Sequence, residues 1–137
     1  MNKLSIIVPV YNGEKTIKRA IDSLLKQTVE VDIIVVNDGS TDNTESVVKT
    51  YSNSNIHYYY KKNGGISDAR NFGISKVNTE FFGFLDSDDY VKEDMAEKML
   101  SAIGDNDICM SNFTWVYEDG SRKEAKDIGY KDKHEII

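Results

Sequence analysis

Three carboxylates stand within four positions, at Asp86, Asp88 and Asp89, directly after the apolar run Phe81–Leu85. Asp86 and Asp88 are two apart, so on extended backbone they leave the same face about 7 Å from each other, with Ser87 on the opposite side. Carboxylates crowded at a strand mouth repel one another unless a cation neutralises them. Hard divalent ions such as Mg²⁺ bind through one or two carboxylates completed by substrate phosphates, so the triplet can build a metal–diphosphate site. A solvated acidic loop capping the strand is the competing reading, and the rest of the chain must decide between them.

Other residues could join such a site. Asp38, in Val35-Val36-Asn37-Asp38-Gly39-Ser40-Thr41-Asp42, can accept an imide N–H of the kind uracil and thymine carry; with Ser40 it could instead cap the following helix. Tyr11 and Asn12 could stack on and hydrogen-bond a planar base, or simply make a turn. The Gly64-Gly65 pair lets backbone approach a ligand closely, but no Gly-Lys-Ser/Thr follows and no GxGxxG is present. Arg70 can pair with Asp38, Asp86 or a phosphate oxygen. His57 and His134 have no second ligand at metal spacing. The tyrosines at 58–60 suit a strand with alternate exposure better than a stacking platform. Cys109, between Ile108 and Met110, reads as a buried core thiol.

The elements that must hold these residues follow from periodicity. Lys3–Val8 reads as a strand ended by Pro9, and Ile17, Ala20, Ile21, Leu24 and Leu25 give the next segment one apolar helical face, with Asn12 as its expected cap. Val31–Val36 is the second strand. Asp42 and Glu45 then resemble a capping arrangement for a helix to about residue 51. Ile56–Tyr60 is the third strand, and a short helix runs from Ser67 to about residue 76. Phe81–Leu85, without polar alternation, reads as a strand buried on both faces in the middle of a sheet. Met95, Met99, Leu100 and Ile103 mark another helix, Ile108–Phe113 a fifth strand, and Glu118–Ser121 a hairpin turn before a polar tail. This alternation predicts an α/β fold, a doubly wound, mostly parallel, Rossmann-like sheet with helices on both faces, its first four strands in the order three, two, one, four. That order makes strands one and four neighbours, with Pro9–Asn12 on one side of a crevice, Asp86–Asp89 on the other and Asp38 just beyond. Three polar clusters converge on one spot, which favours the metal-site reading.

Composition narrows the class. The 137 residues suit one domain with a real core; 39% are hydrophobic and 29% charged. A net charge of −6 without a Lys/Arg cluster argues against a nucleic-acid partner. No apolar run approaches the roughly eighteen residues of a membrane span, so any membrane contact is expected to be peripheral. The single cysteine rules out an internal disulfide and fits a reducing, cytoplasmic setting, with the inner face of the membrane as its extension.

Ser5-Ile-Ile-Val-Pro-Val-Tyr-Asn12, Val35-Val-Asn-Asp-Gly-Ser-Thr-Asp42, Gly65-Ile-Ser-Asp-Ala-Arg-Asn71 and Leu85-Asp-Ser-Asp-Asp89 resemble, in order and spacing, the signature blocks of family 2 glycosyltransferases. The resemblance implies a GT-A fold and an inverting transfer of sugar from a nucleotide diphosphate sugar, with a UDP-sugar expected. The acceptor would be a saccharide or lipid-linked, in cell-surface polysaccharide synthesis of the bacterial type. It further implies that Pro9, Tyr11 and Glu14 line the nucleotide pocket, that Asp38 meets the base and that Arg70 lies near the nucleotide. Asp86-Ser87-Asp88 falls on the family's DXD motif, Asp86 toward ribose and metal and Asp88 as the principal ligand of Mn²⁺ or Mg²⁺. Family members place their general base well downstream of this motif, and Glu118-Asp119 before Gly120 is the wrong setting for it. Residues 1–137 are therefore expected to form a single donor-binding domain, truncated before the acceptor half, with its base beyond Ile137. A sugar-phosphate nucleotidyltransferase would need a Gly-rich basic loop after strand one, which Val10–Gly13 lacks. A non-catalytic nucleotide-binding regulatory module of the receiver type would need acidic and lysine positions that do not match.

Overall fold

A computed structural model describes residues 2–125. The chain divides into two compact units, residues 1–101 and 102–137. In the first, β1 (Leu4–Val10), β2 (Asp32–Asp38), β3 (Ile56–Lys61) and β4 (Phe81–Phe84) form a parallel sheet in the order β3-β2-β1-β4. The expected order is thus the observed one. Helices α1 (Ile17–Leu25), α2 (Thr44–Val48) and α3 (Ile66–Ile74) connect these strands, and α4 (Met95–Ile103) follows β4. In the second unit β5 (Thr114–Val116) and β6 (Arg122–Glu124) pair antiparallel.

The unbroken apolar runs of β1 and β2 are explained by cover on both faces. Ile6, Val8 and Val10 join Ile33 and Val35 in a core with Ile17, Ala20, Ile21 and Leu24 of α1. The intervening Ile7, Ile34 and Val36 face the other way, onto Ala69 of α3 with Tyr59, Phe72 and Val77. Alternate side chains of one strand thus supply two cores. Gly73 lets α3 settle here: a Cβ at that position would collide with Ile7, which is fully buried. No helix among the described residues is long and apolar enough to cross a membrane.

Several boundaries depart from expectation. β1 runs through Pro9 to Val10, because the β1–β4 ladder stops at Ile7↔Phe84 and the missing N–H of Pro9 falls where that ladder has ended. β2 extends to Asp38, which makes this aspartate a strand residue instead of part of a turn. Asn12 does not cap α1; it adopts a left-handed conformation (φ 52°) and its side chain bonds elsewhere. The second helix is only five residues long and stops well before Tyr51. Tyr58 and Tyr59 are half-buried in opposite cores, so only Tyr60 of the three is exposed.

β4 is an edge strand among the described residues, not a central one. Phe81 packs on the larger core, whereas Phe82 and Phe84 are 46% and 44% exposed and stack edge-to-face on each other, 5.8 Å between centroids. The apolar run does not mark double burial here: mutual stacking and the Arg70 guanidinium over Phe84 provide part of its cover. Ile108–Phe113 is not a strand: β5 begins at Thr114, and Ile108 and Met110 are exposed. β-propensity yields a strand only where a neighbour completes the ladder. Cys109 is half-buried, not a core thiol, for the same reason. The turn at Glu118–Ser121 forms as expected, with Gly120 at φ 81° and the Tyr117 amide donating to the Ser121 carbonyl at 2.9 Å. His134 and the end of the tail lie outside the described residues.

Candidate functional site

The loops that leave β1 and β2 are laced together at the carboxyl edge of the sheet. The Asn12 amide donates to Ser40 Oγ at 2.9 Å, and Asn12 Oδ1 accepts the Thr41 amide at 2.8 Å. The Gly13 amide donates to Thr44 Oγ1 at 2.9 Å. Glu14 and the next loop are reciprocal partners: the Glu14 amide donates to Asp42 Oδ2, and Glu14 Oε2 accepts the Asn43 amide, both at 3.0 Å. Burial pushes the Asp42 carboxyl up, but bonds from Thr44 and from the Glu14 amide outweigh it and hold that carboxyl below its usual range. Tyr11, held between β1 and this lacing, is 55% exposed and free to present its ring. Pro9 is buried within β1, and its contribution to any pocket is the shape of the wall.

Asp38, only 3% exposed, is a heavily bonded carboxylate of the sheet edge. Its Oδ1 accepts from Lys61 Nζ at 2.8 Å and from the Gly64 amide at 2.9 Å, and its Oδ2 accepts from the Gly65 amide at 2.8 Å. Asn63 Nδ2 adds a bond to the Asp38 carbonyl at 2.9 Å. Burial raises the Asp38 carboxyl, and Lys61 with the two amides more than reverses this, leaving it below the ordinary carboxylate range. Asp38 therefore does not cap α2, as one reading of the sequence expected. It anchors the Asn63-Gly64-Gly65 turn, which in turn starts α3.

α3 carries Arg70 to the end of β4, where Arg70 Nη2 donates to Asp86 Oδ1 at 2.8 Å. Of the partners open to Arg70 in the sequence, the structure selects Asp86. Arg70 Nε is buried and has no hydrogen-bond partner among the described residues, a donor left for something else to satisfy. The Asp88 carbonyl accepts from Arg19 of α1, whose guanidinium also lies 4.9 Å from the Tyr90 ring centroid. The Asp88 carboxylate has no hydrogen-bond or ion-pair partner among the described residues. Loss of hydration, and then the charges of Asp88 and Asp86, push the Asp89 carboxyl up against the pull of Arg19. Residues 87–88 form a turn, the Asp89 amide donating to the Asp86 carbonyl at 3.0 Å, so the extended backbone expected through Asp86–Asp88 is not observed. Ser87 is turned toward the β1–α1 loop, its Oγ 3.5 Å from where a Cβ on Gly13 would stand.

The predicted residues thus gather at the ends of four adjacent parallel strands, where ligands of open α/β sheets bind. They form two linked groups, Tyr11, Glu14 and Asp38 about the laced loops and Arg70, Asp86 and Asp88 at the end of β4. Four residues escaped the sequence reading: Lys61, Asn63, Asp42 as a loop partner, and Arg19. None has a spacing signal of its own. A lysine at a strand end just before a Gly-Gly turn was the only hint of Lys61.

Glycosyl transferase family 2 is the family model that matches the chain, over residues 5–136. An uncharacterised glycosyltransferase of Rickettsia typhi is 44% identical over 101 residues, 73% of this chain and 31% of that protein. The putative glycosyltransferase EpsH of Bacillus subtilis is 35% identical over 136 residues, 95% of this chain and 40% of EpsH. The chain therefore spans well under half the length of these curated relatives. Among solved structures, S. aureus TarS 1-349 in complex with UDP-GlcNAc superposes with a TM-score of 0.70 at 37% identity, covering 74% of this chain and 31% of that one.

Proposed function

The chain belongs to glycosyl transferase family 2 and has the GT-A architecture, and from that premise we propose that it is the donor-binding part of an inverting glycosyltransferase that uses a UDP-sugar. The observation that carries this reading is the meeting of Asp38, Arg70, Asp86 and Asp88 at one sheet edge, with a buried Arg70 Nε and the Asp88 carboxylate left unpaired among the described residues. The likeness to TarS, whose structure holds UDP-GlcNAc, supports uridine as the base. Tyr11 would stack on it, Asp38 would accept its imide N–H, and Pro9 and Glu14 would shape and fix the wall behind. Arg70 would donate to the nucleotide while keeping Asp86 turned toward the ribose.

The donor set at 86–88 suits a hard cation, since its side chains offer only oxygen, the carboxylates of Asp86 and Asp88 and the hydroxyl of Ser87. Among the described residues no three metal-binding side chains come together, so a diphosphate would have to complete the shell. Asp88, with Asp86 beside it, would hold Mn²⁺ or Mg²⁺. When bound, the cation supplies Lewis-acid stabilisation of the departing diphosphate. The reaction proposed is direct displacement at the anomeric carbon by a hydroxyl of a saccharide or lipid-linked acceptor, at the cytoplasmic face of the membrane, in cell-surface polysaccharide synthesis. Its general base would come from outside residues 1–137, since carboxylates bound to the cation lie on the leaving-group side. UDP release by this chain should accordingly fall at least about a hundredfold below that of a longer protein carrying the acceptor half.

Calorimetry tests the donor site. UDP should bind in the presence of Mn²⁺ and lose affinity when the metal is chelated. Asp88→Ala should abolish the metal effect and lower affinity at least about tenfold, the scale of one charged contact, while Ser87→Ala should change little. Equal affinity with and without chelator would reject the metal-dependent reading.

A further inference from the structure

We infer that Lys61 is a positioning residue that sets base selectivity, by holding Asp38 as an oriented carboxylate with a single open acceptor site on Oδ2. This deepens the proposed function and rests on the reading of Asp38 as the base contact. A carboxylate offers about four lone-pair sites. Two on Oδ1 are taken by Lys61 and the Gly64 amide, and one on Oδ2 by the Gly65 amide, so one acceptor site on Oδ2 remains among the described partners. Lys61 itself has no proton to spare. Its ammonium pairs with Asp38 and Asp68 and donates to the Lys62 carbonyl at 2.6 Å, which uses all three N–H bonds with the side chain only 14% exposed. It therefore acts on a ligand only through Asp38.

What Lys61 controls is the sense of that last hydrogen bond. As a carboxylate, Asp38 accepts the N3–H of uracil and repels the N3 lone pair of cytosine. As a neutral acid it would offer an O–H, which cytosine N3 accepts and uracil N3–H opposes. The charged groups set against Asp38 are Lys61 from β3 and, across it, Asp68 from α3; the Gly64 and Gly65 amides complete its surroundings. Burial works against the charged form of Asp38, and Lys61 is the strongest of the groups that favour it. Removing the ammonium leaves two amides against burial, so the carboxyl moves up and protonates at a higher pH. The UDP-selecting state is then present at high pH and lost as the pH falls.

The test is the ratio of UDP to CDP affinity, measured by calorimetry with Mn²⁺ from about pH 8 down to about pH 5.5, a range spanning the raised carboxyls expected of buried sites. Because both ligands carry the same diphosphate, effects at the metal cancel in the ratio. The unchanged protein should show a flat ratio favouring UDP. Lys61→Met should shrink it at least about tenfold and make it fall with pH, and Lys61→Arg should restore the flat profile. Lys61→Gln, which keeps a hydrogen bond without the charge and spares the packing, should behave as Lys61→Met does. UDP and CDP weakened equally, with a flat ratio, would make Lys61 merely structural and overturn the inference. Asp38→Asn separates the two levels. If it removes the UDP preference while the Lys61 variants keep it, only the role of Lys61 fails; if Asp38→Asn keeps the preference, the base contact and the inference fall together.

Discussion

Asp38 is a buried carboxylate on which the fold around the candidate site depends. Its three bonds to Lys61, Gly64 and Gly65 tie β2 to the turn that starts α3, and its depressed carboxyl makes the tie sensitive to acid. A carboxyl lowered by folding contributes stability above its unfolded value and loses it as the pH falls through the folded value. Asp38→Asn should therefore cost roughly 1–3 kcal/mol at neutral pH, measured by urea unfolding, and the gap between the two proteins should close in acid as the pH falls below the ordinary carboxylate range. A gap that persists there would mean the loss comes from packing and not from charge. At this scale the sequence brought the candidate residues together, since Asp38, Arg70, Asp86 and Asp88 all reach one sheet edge. It could not name the partners. Arg70 had three acidic or anionic choices and takes Asp86, while Lys61 had no pattern around it, because pairings across distant strands leave no local period.

The elements were legible where one periodicity ruled, as in α1 and the paired runs of β1 and β2. They were misread where neighbours decide. β4 carries the composition of a central strand at an edge, and the segment before β5 has strand composition without a ladder. Helix α2, at five residues, is too short to stand alone, so the lacing by Glu14, Asp42 and Thr44 supplies what length does not. Helix α3 depends instead on close approach to β1 at Gly73. Alanine there gains about 1 kcal/mol of helix propensity but drives a methyl into the fully buried Ile7, an overpacking of about 1–3 kcal/mol. Gly73→Ala should thus lower stability by up to about 2 kcal/mol in denaturant melts. A stabilised variant would show that α3 can shift away from the sheet.

At the scale of the molecule, membership in glycosyl transferase family 2 was readable from four short blocks, and the sheet order from the alternation of strands and helices, which brings together the strand ends that carry three of those blocks. The chain spans 31% of the Rickettsia typhi relative and 40% of EpsH. The exposed edge of β4 has a different consequence, a colloidal one. A strand whose outer edge has no ladder among the described residues, and which shows two aromatic rings on one face, is a template on which other strands can add. The net charge of −6 resists such sticking over a distance of about 10 Å at moderate salt, and added salt removes that protection. Light scattering should therefore rise with protein concentration, more steeply at high ionic strength, and Phe82→Lys should flatten the curve by placing a gatekeeping charge on the edge. A solution that stayed monodisperse as salt increased would show the edge to be quiet on its own, and crystallisation or storage of this chain would need no special care at that strand.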